Sequence, residues 1–296
     1  MMRNGVLTVA ALLGTVCCAE NGSSQVVPTR AATLANAPNQ FVEIGGVRVR
    51  YRDAGAGAPV VFLHGLGGRL EDWVGFPDRL RVPHRVIALD LRGFGESAKS
   101  IDDGRYGPHL ADDVVAVLDA LRLPRAHLVG HSLGALVAAS AATQYPGRVS
   151  SAALIAGPLW ADRASASAAV EPWVRDLVSG RGLVSLLAWL LPALPADGPR
   201  QMSELLLKDN DASSIAAVLR TVPALVESVH PSSSNVLLVS GARDPLHALS
   251  VAFARRYPNA SFVQVPEADH ITVVSSRETV EAVRQQLDST TKKKAA

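Results

Sequence analysis

Ala126-His127-Leu128-Val129-Gly130-His131-Ser132-Leu133-Gly134 is followed by a run of mostly small residues from Ala135 to Gln144, which stops before Pro146. The first four residues are a short apolar run of strand type, and the later stretch is helical in composition. Only a tight turn fits between them. A Gly-x-Ser-x-Gly pentapeptide on such a turn puts the serine on a sharp backbone elbow, its hydroxyl projecting above the sheet edge. Side chains at Gly130 or Gly134 would crowd the neighbouring strand and helix, and glycine tolerates strained dihedrals nearby. Gly and Ser are common residues, so the pentapeptide alone says little. Its place between strand and helix makes Ser132 a candidate nucleophile rather than a plain turn residue.

Upstream, Pro59 to Leu63 is a continuous apolar run of β type, the pattern of a strand buried on both faces. It enters His64-Gly65-Leu66-Gly67-Gly68. Arg85 to Leu89 is a second such strand, ending at Asp90 and the loop Leu91-Arg92-Gly93-Phe94-Gly95-Glu96-Ser97. Phe41 to Tyr51 alternates around Gly45-Gly46, which predicts a hairpin. Leu70 to Leu80 is expected to be helical, with Trp73 as a core anchor. His109 to Leu123 carries Leu110, Val114, Val117, Leu118 and Leu121 on one helical face.

Downstream, Ser151 to Ala156 is a strand closed by Gly157-Pro158. The rhythm then changes. Residues 158–232 show no strand pattern, and their helix-like pieces are interrupted by Pro172, Pro192, Pro195, Pro199 and Pro223. Alternation returns with a strand at Asn235 to Val239, a helix at Leu246 to Tyr257 and a strand at Ala260 to Val265. Ser275-Ser276-Arg277-Glu278 reads as a capping box opening a last helix to about Leu287. These spacings predict an α/β fold: a mostly parallel central sheet, helices on both faces, and a helical insertion at 158–232 between core segments 41–157 and 233–288. Active sites of such sheets form at the carboxyl ends of the strands. Ser132, His64, Asp90, Asp244 and His270, weighed below, sit at such ends.

The chain has 296 residues, 48% of them hydrophobic, enough for one large core. Net charge is +2 with basic residues scattered, which argues against a nucleic-acid surface. Lys292-Lys293-Lys294 belong to a solvated basic tail, 289–296. Residues 1–19 have the form of a signal peptide: Arg3 supplies the positive region, and Val6 to Val16 an apolar run of about 11 residues, short for a membrane span. Ala19 fits the residue before cleavage. Export to the periplasm or medium follows, with no membrane span left after removal, and lipidation of Cys17 or Cys18 is the alternative. The only cysteines are Cys17 and Cys18, so cleavage after Ala19 leaves a chain without thiols or disulfides. Residues 20–40 are small and polar and read as a disordered linker.

A serine hydroxyl needs a base, and an imidazole base needs an anionic partner to fix its tautomer. Among eight histidines, His270 lies just past the last strand, in a loop before the final helix. His127 lies inside a strand and reads as a packing or edge residue. His131 should point away from a Ser132 that points out. The acid should end an earlier strand. Asp244 does, in Gly241-Ala242-Arg243-Asp244-Pro245; Asp90 and Asp269 remain alternatives.

With His64-Gly65 after a strand, Asp90 to Ser97, Gly130 to Gly134, Gly241 to Asp244 and Asp269-His270, the chain resembles the α/β-hydrolase superfamily from about Phe41 to Leu287. Ser132, Asp244, His270 is that family's triad order. The resemblance implies a cap at about 158–232 and an oxyanion hole formed by the backbone N–H groups of Leu66 and Leu133. Leu133 opens a helix, where free donors and the dipole favour negative charge. Relatives that cleave haloalkanes or epoxides carry aspartate at the elbow, so Ser132 points to acyl chemistry: a small or medium, largely apolar carboxylic ester, with thioester, lactone, amide or C–C bond cleavage as alternatives and a non-catalytic binding protein as a third class. The apolar stripe Leu183, Leu186, Leu187, Trp189, Leu190 and Leu191 either lines a substrate pocket or packs as core. His64 either braces its loop or joins Leu187 and Trp189 in that pocket. Neither cofactor nor metal is called for, since the residues supply nucleophile, base and oxyanion donors. Oligomeric state is not legible.

Overall fold

The computed structural model describes residues 33–80, 83–231, 234–257 and 259–295. The expected signal peptide and the linker up to residue 32 lie outside them. Eight strands form one sheet: β1 (Gln40–Ile44), β2 (Val47–Gly55), β3 (Ala58–Leu63), β4 (His84–Leu89), β5 (Ala126–His131), β6 (Val149–Ile155), β7 (Val236–Gly241) and β8 (Ala260–Val265). Their order is β1-β2-β4-β3-β5-β6-β7-β8. Only β2 runs against its neighbours; the other pairings are parallel. Leu63 is paired with Gly130, and Gly130 with Leu154. The carboxyl ends of β3, β5 and β6 are therefore level.

The helices are α1 (Phe76–Leu80), α2 (His109–Ala120), α3 (Leu133–Gln144), α4 (Arg163–Val178), α5 (Val184–Leu190), α6 (Gly198–Asp209), α7 (Ala212–Glu227), α8 (His247–Arg256), α9 (Thr272–Ser275) and α10 (Arg277–Ala295). Successive side chains of a strand face opposite sides. Along β3, Val61 and Leu63 enter the core layer that holds α2, α3 and the insertion. Val60 and Phe62 enter the opposite layer, with Trp73, Phe76 and the inner face of α10. Both faces are covered, which is why β3 reads as one unbroken apolar run.

Helices α4 to α7 are all inserted between β6 and β7. Pro172 and Pro223 lie inside α4 and α7 rather than ending them. A mid-helix proline costs about 3 kcal/mol or more. Burial of Val170 and Leu177 on α4 and of Leu219, Val222 and Leu225 on α7 in one shared core offsets that cost.

Four boundaries differ from expectation. The ordered chain starts before residue 41: Leu34 and Ala37 are buried in the second core layer, and Arg52 donates to the Leu34 carbonyl at 3.3 Å. A composition average over 20–40 hides those anchors. Leu70–Leu80 splits into a 3-10 turn, Leu70–Trp73, and α1; Trp73 is buried as expected. Ser276, not Ser275, caps α10, accepting from the Thr279 N–H at 3.0 Å. That helix continues to Ala295 through the stretch read as a tail, since residues 288–295 contain no glycine or proline to stop it.

Candidate active site

Ser132 stands between β5 and α3 with φ 53° and ψ −118°. A non-glycine residue in such a sparse region costs on the order of 1–3 kcal/mol and persists where its surroundings over-determine it. Here they do. The Ser132 N–H donates to Ile155 O at 2.9 Å, and its carbonyl accepts from Ala135 and Leu136 at 3.0 and 3.2 Å. A Cβ on Gly130 would lie 2.2 Å from Gly134 O, and one on Gly134 would lie 2.1 Å from Leu63 O. Both glycines are required by space, as their sequence positions indicate.

Asp244 and His270 meet beside the elbow, from the loops after β7 and β8. His270 Nδ1 lies 3.1 Å from Asp244 Oδ2, and the other carboxylate oxygen accepts from the Leu246 N–H at 2.9 Å. Both residues are buried. With Nδ1–H donated to Asp244, Nε2 carries the basic lone pair.

The competing carboxylates are engaged elsewhere. Asp90, fully buried, accepts from the Leu70 and Glu96 N–H groups at 2.7 and 2.8 Å and from Arg50 at 3.1 Å. It ties the loop after β4 to that before α1. Asp269 accepts from Ile271 N, Thr272 N and Thr272 Oγ1, shaping the turn into α9. Burial pushes the Asp269 carboxyl up, but those hydrogen bonds outweigh it and hold it below the ordinary carboxylate range.

His64 is set behind the elbow. The Leu91 N–H donates to its Nε2 at 3.0 Å, so its proton sits on Nδ1, which donates to Gly65 O at 2.7 Å. The Gly68 N–H donates to the same carbonyl at 3.1 Å. The C=O and N–H of a trans peptide point opposite ways. Holding Gly65 O therefore aims the Leu66 N–H. A Cβ on Gly65 would lie 3.2 Å from Ser132 Cβ, so this loop abuts the elbow. The Leu133 N–H, first in α3, is one of the helix-start donors without an intrahelical acceptor.

The expected pocket residues are placed otherwise. His64 is 1% exposed with both ring nitrogens engaged, so it braces the loop rather than lining a pocket. Leu187 is buried in the core with Leu183, Leu186, Leu190 and Leu191. Trp189 is 41% exposed and tilts against Trp173, ring centroids 5.4 Å apart. His127 is no edge residue: it sits in the interior of the sheet and meets Ser151 Oγ at 2.8 Å.

His131 has a role its sequence position did not suggest. Its Nε2 donates to the His270 carbonyl at 2.9 Å, with ring centroids 4.9 Å apart. Desolvation, followed by the neighbouring His270 and His64, lowers its pKa to about 3. An unfolded His131 takes up its proton near 6.5, so this contribution to stability is intact above that pH and is lost as pH falls from 6.5 towards 3. By pH 5 the loss reaches about 2 kcal/mol. We expect His131→Asn to flatten the fall in melting temperature between pH 7 and 5; an unaltered acid limb contradicts this.

The profile of the alpha/beta hydrolase fold family matches residues 58–186. The chain is 33% identical over 266 residues to the dihydrolipoyllysine-residue acetyltransferase component of the acetoin cleaving system of Pseudomonas putida, spanning 84% of this chain and 68% of that protein. The chain belongs to the α/β-hydrolase superfamily. The hydrolase is also 29% identical over 263 residues to 2-(acetamidomethylene)succinate hydrolase of Mesorhizobium japonicum, covering 84% of this chain and 94% of that one. The solved structure of E-2-(acetamidomethylene)succinate hydrolase superposes with TM-score 0.65 at 26% identity, covering 85% of this chain and 99% of that one.

Proposed function

We propose that this hydrolase cleaves small or medium, largely apolar carboxylic esters through an acyl-enzyme on Ser132. The observation that carries the reading is Ser132 on its left-handed elbow, one residue after His131, which bonds to the backbone of a buried His270 whose Nδ1 is held by Asp244. Ser132 Oγ bonds to the ester carbonyl carbon while His270 Nε2 takes the hydroxyl proton. The imidazolium is stabilised by Asp244. The carbonyl oxygen becomes an oxyanion between the Leu66 and Leu133 N–H groups, each such donor contributing about 3–4 kcal/mol to the transition state in related chemistry. Collapse breaks the ester C–O bond, and the leaving alkoxide takes the proton from His270. Water then repeats the sequence on the acyl-enzyme and releases the acid.

An apolar substrate is favoured by the cover of the oxyanion loop. A Cβ on Gly67 would lie 3.5 Å from Leu206 Cβ and 3.8 Å from Leu183 Cδ1, so leucines of the insertion close over this loop. The relative whose name carries an acetamido group favours a second reading on the same triad, cleavage of an amide. A panel of p-nitrophenyl esters of rising acyl length separates the two. We expect turnover with a chain-length optimum. Inertness towards every ester, with turnover of an N-acyl enamine, would replace the ester by that bond.

A further inference from the structure

We infer that Asn210 latches the helical insertion onto the oxyanion loop and thereby sets the aim of the Leu66 N–H. This rests on the serine-hydrolase reading and adds to it a positioning residue outside the core domain. Asn210 follows α6, in the joint before α7, and is buried. One Nδ2 hydrogen goes to Gly67 O at 2.7 Å and the other to Leu206 O at 2.9 Å. Oδ1 accepts from the Gly95 N–H at 3.0 Å. Both donors are used, and a single side chain spans the insertion, the loop after β3 and the loop after β4.

The consequence lies in the four-residue turn Gly65–Gly68. Its first carbonyl is held by His64 Nδ1 and the Gly68 N–H. Its third carbonyl, Gly67 O, is held by Asn210. Gly67 has φ 73°, in the region that favours glycine, and with no Cβ its own backbone does little to fix the turn. Leu66 N–H lies between these two anchored carbonyls, one supplied by the core and one by the insertion. Movement of the insertion away from the core would release the second anchor and let the donor swing from the oxyanion. The contact with Leu206 O, four residues earlier, is an ordinary helix-end bond and would exist without any catalytic role; the bonds to Gly67 and Gly95 are not explained that way.

The test uses the full chain. Asn210→Asp keeps size and the acceptor for Gly95 but cannot donate to Gly67. Asn210→Leu removes all three bonds. On a p-nitrophenyl ester we expect kcat to fall about 10–100-fold with KM changed less than threefold, because an oxyanion donor acts mainly in the transition state. The rate of Ser132 labelling by a fluorophosphonate should fall in parallel. Asp209→Asn, which breaks only an exposed ion pair to Arg69, should change neither rate by more than about twofold. Folded Asn210 variants with wild-type kcat and labelling rate would overturn the latch and leave only a helix cap. Should neither variant fold, hydrogen exchange of the wild-type protein decides. Attaching the phosphonate to Ser132 should slow exchange in residues 206–212 together with 65–70, and protection of 65–70 alone overturns the coupling. Failure of the wild-type chain to label at Ser132 overturns the hydrolase reading and this inference with it, an outcome distinct from labelled wild type with unaffected variants.

Discussion

Ser132→Ala should lower kcat on a p-nitrophenyl ester by about 10⁴-fold or more while the protein stays folded. The argument has two halves. Removing Oγ removes the atom that forms the covalent bond, and His270 has nothing left to deprotonate but water. What remains is the oxyanion donors and binding, which sustain only a small residual rate. Alanine keeps the Cβ, so the left-handed backbone at 132 is as strained as before, and the bonds that support the elbow, with Ile155 O, Ala135 N and Leu136 N, all go to the Ser132 main chain rather than to the hydroxyl. The melting temperature should therefore stay close to wild type, measured by circular dichroism. Undiminished ester turnover in a folded variant would remove Ser132 from the mechanism.

Asp244→Asn should cost on the order of 10⁴ in kcat, while Asp90→Asn should cost mainly stability. Asparagine at 244 can present a donor to Nδ1 and so favours the tautomer with its proton on Nε2, the wrong one for accepting from Ser132. It also removes the anion that stabilises the imidazolium. Asp90 faces a different task. It is the fully buried partner of Arg50, itself 3% exposed. Neutralising one member of a buried pair costs about 3–5 kcal/mol; Glu71, also paired with Arg50, should keep the loss near the lower end. Urea denaturation and kcat measured on both variants separate the roles. Wild-type activity in Asp244→Asn, with collapse in Asp90→Asn at unchanged stability, would reverse the assignment.

The sheet was legible because β3, β4, β5, β6 and β7 are buried on both faces and so read as apolar runs, each ending in turn chemistry. The elbow was legible because two glycines in contact with backbone atoms leave no alternative residue. Choosing Asp244 over Asp90 depended on chain order and strand ends, and the structure shows the reason: Asp90 is consumed by two backbone donors and an arginine from β2, a contact across 40 positions. Contacts of that range leave no periodic trace. The same holds for His131, whose acceptor is a backbone carbonyl 139 residues away, and for Asn210, which bonds across 143 residues to Gly67. The leucine stripe at 183–191 left two readings open. Apolar residues on a short amphipathic helix look alike whether they face a substrate or a core, and here Leu186, Leu187 and Leu190 face the core. His64 stayed open for a similar reason: a histidine at a strand end suits both a pocket wall and a loop brace until the partners of both nitrogens are known, and here both brace the loop.

The claim at the centre of this account is that Ser132 is made nucleophilic by the His270–Asp244 pair. Mass spectrometry of the wild-type protein after incubation with a fluorophosphonate tests it most directly. One adduct per chain is expected, on the peptide carrying Ser132, forming at least about 10³-fold more slowly in Asp244→Asn. An ester-cleaving protein that acquires no adduct, or acquires it on another residue, contradicts the account.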